Sequence, residues 1–286
     1  MLTEHEVRYF EEIARRIRFD IIKMTYHAGS GHPGGSLSIA DMLAVLYFKH
    51  LRHRPKEPDW EGRDRVVLSK GHACPALYAV LAESGYFPRE ELWTLRKLGS
   101  RLQGHPARDK GLPGIEASTG SLGQGLSIAV GMAISGKYLD KADWRVYAIL
   151  GDGEIQEGQI WEAFMAGAHY KLDNLTAIID NNDLQIDGRV RDVMSIYPLV
   201  EKLKAFGWHV IDINGHSIRE LDEAFEQAKS MSGKPTAIIM HTTKGKGVSF
   251  MEDHAEWHGK APNREQALIA MKDLGFPPEA LDSDIR

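Results

Sequence analysis

The sequence predicts a single doubly wound α/β domain over residues 1–286, a parallel sheet with helices on both faces. Two observations carry this. Short apolar runs of buried-strand length occur at Arg65–Leu68, Val146–Leu150, Leu175–Ile179, His209–Ile213 and Thr236–Met240. Between most of them lie segments of helical period, and strands separated by helices run parallel because parallel neighbours need a long return path. With 43% hydrophobic and 26% charged residues, the chain is able to bury a full core.

Taken in order, the polar start Met1–Glu6 resembles neither a secretory signal nor a transit peptide. From Val7, the residues Phe10, Ile13, Ala14, Ile17, Ile21 and Met24 recur at helical spacing, and the helix stops at Ala28-Gly29-Ser30-Gly31. A glycine-rich loop follows. Ser38 with Asp41 reads as a cap for a helix through Met42, Leu43, Leu46 and Phe48. Pro55, Pro58 and Gly62 mark a surface loop ahead of the first strand. Gly120 to Gly136, with Ala129, Ala133 and Ser135, reads as a close-packing helix that either tucks inside the domain or serves an interface. Further helices are predicted over Ile160–Tyr170, Tyr197–Phe206, Ile218–Lys229 (capped by Ser217 with Glu220) and Gln266–Leu274. The tail from Pro277 reads as weakly ordered.

Composition excludes several classes. Thirty-five Lys and Arg against 40 Asp and Glu leave a net charge of −5, and the basic residues are scattered, so no nucleic-acid surface is expected. One cysteine, Cys74, precludes an internal disulfide and a cysteine-rich zinc site, which predicts a reducing, cytoplasmic setting. No apolar run reaches membrane-spanning length.

Ligands of open α/β sheets gather beyond the carboxyl ends of the strands. The strand ending at Leu150 runs into Gly151-Asp152-Gly153-Glu154, and the one ending at Ile179 into Asp180-Asn181-Asn182-Asp183. Asp152 and Asn182 are thirty residues apart, one strand-helix-strand unit, so they are expected at adjacent strand ends. A carboxylate and an amide oxygen are too few to cage magnesium, which suits a cation whose other ligands include diphosphate oxygens. The helix from Ile160 would then turn its amino terminus toward the anion. Competing motifs are lacking: there is no Gly-x-x-x-x-Gly-Lys-Ser/Thr loop, Gly123-Gln124-Gly125 lacks the third glycine of a dinucleotide fingerprint, and Leu184 breaks a calcium loop.

Six motifs, in order, resemble the amino-terminal, diphosphate-binding half of transketolase: Ser30-Gly31-His32-Pro33-Gly34, Leu68-Ser69-Lys70-Gly71-His72, Gln103-Gly104-His105-Pro106, Thr119 to Gly125, Gly151-Asp152-Gly153-Glu154 and Trp257 to Pro262. The resemblance implies the thiamine diphosphate-binding fold. It also implies that Asp152, Asn182 and the Leu184 carbonyl ligate Mg2+ (Ca2+ or Mn2+ being possible), while Gly120, Ser121, Leu122, Gly153 and Glu154 pack around thiamine diphosphate. His32, His72, His105 and His258 would line the channel over the thiazolium ring as catalytic groups, with His72, His258 and Lys244 also touching the cofactor. Imidazoles suit this work because they hydrogen-bond sugar hydroxyls and move protons. His5, His50, His53, His209 and His216 are left to structure or surface. His254 and His258, four apart, offer a zinc pair without a third ligand.

The implied reaction is transfer of a two-carbon ketol unit from a ketose phosphate to an aldose phosphate, as in the pentose phosphate pathway, the cofactor serving as electron sink. No second glycine-rich α/β unit follows Lys260, so the chain is expected to be the amino-terminal subunit of a split enzyme. Its partner would be a carboxy-terminal subunit carrying the pyrimidine-binding domain, in a homodimer of heterodimers, a heterotetramer. The rivals are a subunit of another thiamine enzyme (2-oxoacid dehydrogenase or deoxyxylulose-phosphate synthase type) and a non-catalytic cofactor-binding partner.

Overall fold

A computed structural model describes residues 2–283. The chain opens with α1 (Glu4–Ala28), whose start is fixed by a capping box between Thr3 and Glu6 and whose end is the left-handed Gly29, φ 59°. Two short helices follow, α2 (Pro33–Leu37) and α3 (Ala40–Val45). The glycine-rich stretch is therefore partly helical, its entry favoured by Pro33 at the first position. Strand β1 (Arg65–Leu68) leads to α4 (Cys74–Glu83), which the sequence reading leaves out because its apolar residues surround the helix and give little periodicity. Next come α5 (Gln124–Ile134), β2 (Val146–Gly151), α6 (Gly158–His169) and β3 (Leu175–Asn181).

After β3 a two-stranded hairpin, β4 (Leu184–Gln185) and β5 (Gly188–Arg189), and a short α7 (Val190–Met194) precede α8 (Leu199–Ala205). The predicted helix from Tyr197 starts later because Pro198 stands outside its first turn. Then follow β6 (His209–Asn214), α9 (Ile218–Ser230), β7 (Thr236–His241) and α10 (Arg264–Asp273). The predicted weakly ordered tail is corrected in part: Pro278–Leu281 forms a tight turn that buries Ala280 and Leu281, while 284–286 lie outside the described residues.

The main sheet has the order β1-β2-β3-β7-β6, all parallel. Alternate strand residues feed two separate cores. Tyr147, Ile149, Ile178, Ile238 and Met240 pack with α1, α3, α4 and α9 on one face, while Val146, Ala148, Leu150, Ala177 and Ile239 pack with α5, α6 and α8 on the other. This is the doubly wound arrangement the sequence predicts. The chain leaves β3 for the far edge, builds β6, and returns to insert β7 beside β3, so the loops after β2, β3 and β7 rise side by side.

Candidate active site

The loops after β1, β2, β3 and β7 build one cleft of about 190 Å³ at the carboxyl end of the sheet. Asp152 and Asn182 both line it, as do His72, Leu122, Gly153, Glu154, Leu184, Lys244 and His258. His32, His105, Gly120 and Ser121 are not part of that lining.

Asp152 is 2% exposed. Its Oδ1 accepts from the Gly153 N–H at 2.8 Å and its Oδ2 from the Asp183 N–H at 2.5 Å. Burial, reinforced by the neighbouring Asp180 carboxylate, pushes the Asp152 carboxyl up to about 7 despite those donors and Lys70. A carboxylate so placed favours a nearby cation. Asn182 donates from Nδ2 to Asp180 Oδ2 at 2.9 Å, and its Oδ1 accepts from the Leu184 N–H at 3.1 Å. The Leu184 carbonyl accepts from Lys244 Nζ at 3.0 Å. A carboxylate, an amide oxygen and a peptide carbonyl form a hard-oxygen set, which fits Mg2+, Ca2+ or Mn2+ and does not suit a soft metal.

Glycines shape the approach. A Cβ on Gly71 would lie 2.7 Å from the Gly120 nitrogen, so the loops after β1 and before α5 meet backbone to backbone. Gly120 has φ +137°, and a side chain there would strike the His105 ring. Glu154, also 2% exposed, ties these loops together: Oε1 accepts from Ser69 Oγ at 2.5 Å and from the Gly123 N–H at 3.0 Å, and Oε2 from the Gly151 N–H at 3.1 Å.

Four histidines from four loops cluster beside this floor. The His72 and His258 rings are 4.8 Å apart, and His32 stands 5.5 Å from His72, 5.6 Å from His258 and 6.0 Å from His105. Burial first, then neighbouring cations, lowers all four: His32 to about 4 with Arg96 beside it, His258 to about 3 with Lys244 beside it, His72 well below its usual value, and His105 to a lesser degree. The imidazoles are thus neutral at pH 7, each with one N–H donor and one lone pair. Lys244 Nζ lies 2.9 Å from His258 Nδ1. An ammonium only donates, so Nδ1 accepts and the His258 ring proton sits on Nε2.

The structure also corrects the reading of Ser38. It caps no helix: α3 has Ile39 at its cap without a side-chain bond, and Ser38 Oγ donates to Asp180 Oδ2 at 2.7 Å and to the Gly35 carbonyl at 3.1 Å. Sequence reasoning assigns Lys70 and Asp180 no role. Their one visible signal is a charge at the end of an apolar strand, Asp180 after Ile178-Ile179 and Lys70 after Val67-Leu68-Ser69. His254 is exposed and joins no metal-capable cluster among the described residues. The cluster that does occur, His50–Asp222–Glu226, is already neutralised, with Lys49 Nζ 2.5 Å from Asp222 and Lys229 Nζ 2.9 Å from Glu226.

Fold and cleft are those of an open α/β domain with a polar cleft beyond the carboxyl ends of its strands, the place where such sheets take their ligands. Residues 10–282 match the family described as transketolase, thiamine diphosphate binding domain, and the chain belongs to that family. It is 48% identical over 273 residues to the transketolase of Homo sapiens, covering 95% of this chain and 43% of that one. The chain thus spans less than half the length of such relatives. It is 44% identical over 279 residues to one of the subunits of the apulose-4-phosphate transketolase of Phocaeicola vulgatus, covering 98% of each. It is also 48% identical over 246 residues to the 6-deoxy-6-sulfo-D-fructose transketolase subunit SqwG of a Clostridium species, 86% of this chain and 89% of that one. Among solved structures, the transketolase from Campylobacter jejuni superposes with a TM-score of 0.89 at 39% identity, over 95% of this chain and 43% of that one.

Proposed function

We propose that the chain is one thiamine diphosphate-binding domain acting as the amino-terminal subunit of a two-subunit, metal-dependent transketolase that moves a two-carbon ketol group from a ketose phosphate to an aldose phosphate. The observation that carries this is the juxtaposition of a hard-oxygen floor, Asp152, Asn182 and Leu184, with the neutral cluster His32, His72, His105 and His258. The subunit reading is supported by the two relatives of matching length whose names call them transketolase subunits. The partner would be a carboxy-terminal subunit carrying a pyrimidine-binding domain, in a homodimer of heterodimers working in the cytoplasm.

Asp152, the Asn182 Oδ1 and the Leu184 carbonyl would hold the cation; Gly120 to Leu122, Gly153, Lys244, His72 and His258 would hold the diphosphate and ring. When bound, thiamine diphosphate supplies the nucleophilic carbon and the electron sink for cleavage and formation of the carbon–carbon bond. The chain's own residues bind, orient and handle protons. With its proton on Nε2, His258 donates to an oxygen, and the other neutral imidazoles donate to or accept from substrate hydroxyls without presenting a competing positive charge. Lys244, lowered to about 8 by burial and by Lys70, remains a cation at pH 7 and offers the charge that diphosphate oxygens need.

The test is reconstitution. Mixed with a carboxy-terminal transketolase subunit, thiamine diphosphate and Mg2+, the chain is expected to form an aldehyde product from a ketose phosphate only when an acceptor aldose is turned over. Asp152→Ala, mixed with the partner subunit, should lose cofactor binding, measured by titration calorimetry. Unchanged cofactor affinity in that variant would contradict the metal role, and no turnover by a stable reconstituted pair would contradict the activity.

A further inference from the structure

Beneath the floor of the cleft lies a buried group that the proposed reaction does not use. Asp180, at the end of β3, is 0% exposed and accepts from four side chains carried by four different segments. Its Oδ2 takes Lys70 Nζ at 2.5 Å, Ser38 Oγ at 2.7 Å and Asn182 Nδ2 at 2.9 Å; its Oδ1 takes the Thr242 hydroxyl. Lys70 is itself 1% exposed and also donates to the Gly35 carbonyl at 2.9 Å. An ion pair this deeply buried is weak evidence of added stability, since apolar replacements of similar volume are often as stable.

We infer that Asp180, clamped by Lys70, is the positioning residue of the cation site, acting through the Asn182 amide; this rests on the proposed metal reading of Asp152 and Asn182. An amide has a donor end and an acceptor end of nearly equal size. A carboxylate whose partners are an ammonium and two hydroxyls only accepts, so it captures the Nδ2 end and turns Oδ1 away. On the far side the Leu184 N–H reads the same orientation by donating to Oδ1 at 3.1 Å. Oδ1 keeps a second lone pair for a cation. Were position 180 able to donate, the amide would lose the hold on its Nδ2 end and be kept in register by the Leu184 N–H alone, so that it could turn its NH2 group, which repels a cation, toward the site. Lys70 Nζ and the Ser38 and Thr242 hydroxyls prevent that by all donating to Asp180, which commits its oxygens to accepting.

The full chain is titrated with Mn2+ in the presence of thiamine diphosphate, following the paramagnetic resonance signal of free Mn2+. Asp180→Asn is expected to weaken Mn2+ binding about 10- to 100-fold, the usual cost of losing a residue that orients a ligand. Placed in an Asn182→Ala background it should cost nothing further, because the amide it acts on is gone. The exchange Asp180→Asn with Asn182→Asp, which keeps charge and contact, should bind Mn2+ more tightly than Asp180→Asn alone, and it serves where the single variant folds poorly. Equal losses with and without Asn182, no rescue by the exchange, or wild-type affinity in Asp180→Asn would each overturn the inference. Asp152→Ala separates the two claims: if it loses Mn2+ while Asp180→Asn does not, only the positioning role fails; if the wild-type chain with cofactor binds no Mn2+, the metal reading fails and the inference with it.

Discussion

His258 is the residue whose chemistry is most tightly set by its surroundings, because burial and Lys244 together hold it neutral and fix its proton on Nε2. Its replacement by Ala is expected to lower kcat/KM of the reconstituted enzyme about 100-fold or more, the usual scale for a lost proton-transfer or hydrogen-bonding group, with little change in Tm. A loss confined to Tm would mark it as structural. Which residues the sequence reveals follows from how local their signal is. Asp152 and Asn182 are legible because each sits in a short motif that directly ends an apolar strand. Lys70 and Asp180 are not, because their pairing joins positions 110 residues apart and exists only once β1 and β3 flank β2. Ser38 is misread for the same reason: its spacing to Asp41 imitates a cap, and a tertiary carboxylate outcompetes the local helix for its hydroxyl.

Asp41, freed from that cap, links elements. It receives Arg18 of α1 at 2.5 Å and lies 2.7 Å from His216 Nδ1, just ahead of α9, while His216 Nε2 accepts from the Thr243 N–H beyond β7 at 2.8 Å. Burial pulls its carboxyl upward, yet Arg18 and His216 outweigh this and hold it at about 2, against an ordinary value of 3.8. A depressed carboxyl contributes stability that is fully present above pH 3.8 and is lost as pH falls through about 2, here about 2 kcal/mol. Asp41→Asn should therefore lower the unfolding free energy by about that amount at pH 7 in urea melts, with the difference narrowing as pH falls below the ordinary carboxyl value; a difference constant with pH would refute the linkage. At this scale the sheet strands and amphipathic helices are legible, since period and β-branched runs report directly on burial. The elements that escape include α4, apolar all round, and the short α2, α7 and hairpin of β4 and β5, too brief to carry a period.

For the whole molecule, the two-sided core explains why the cleft is open at one end of the sheet, and the residues left bare there suggest what covers it. Leu122 and Ile186 line the cleft at 36% and 68% exposure, and Met194 nearby along the chain is 62% exposed. Binding of a pyrimidine-domain subunit is expected to slow amide hydrogen exchange in the hairpin Leu184–Arg189 and around Leu122, leaving α9 unchanged; protection elsewhere alone would place the partner on another face. The doubly wound architecture is readable from the alternation of strands and helices, but the order β1-β2-β3-β7-β6 is not, because no local pattern says which strand inserts between two others. The central claim, a cation held at the ends of β2 and β3, is tested most directly by anomalous diffraction from crystals of the chain grown with Mn2+ and thiamine diphosphate. A peak bounded by Asp152, Asn182 and the Leu184 carbonyl is the predicted result; a peak at His50, Asp222 and Glu226, or none with the cofactor bound, would contradict it.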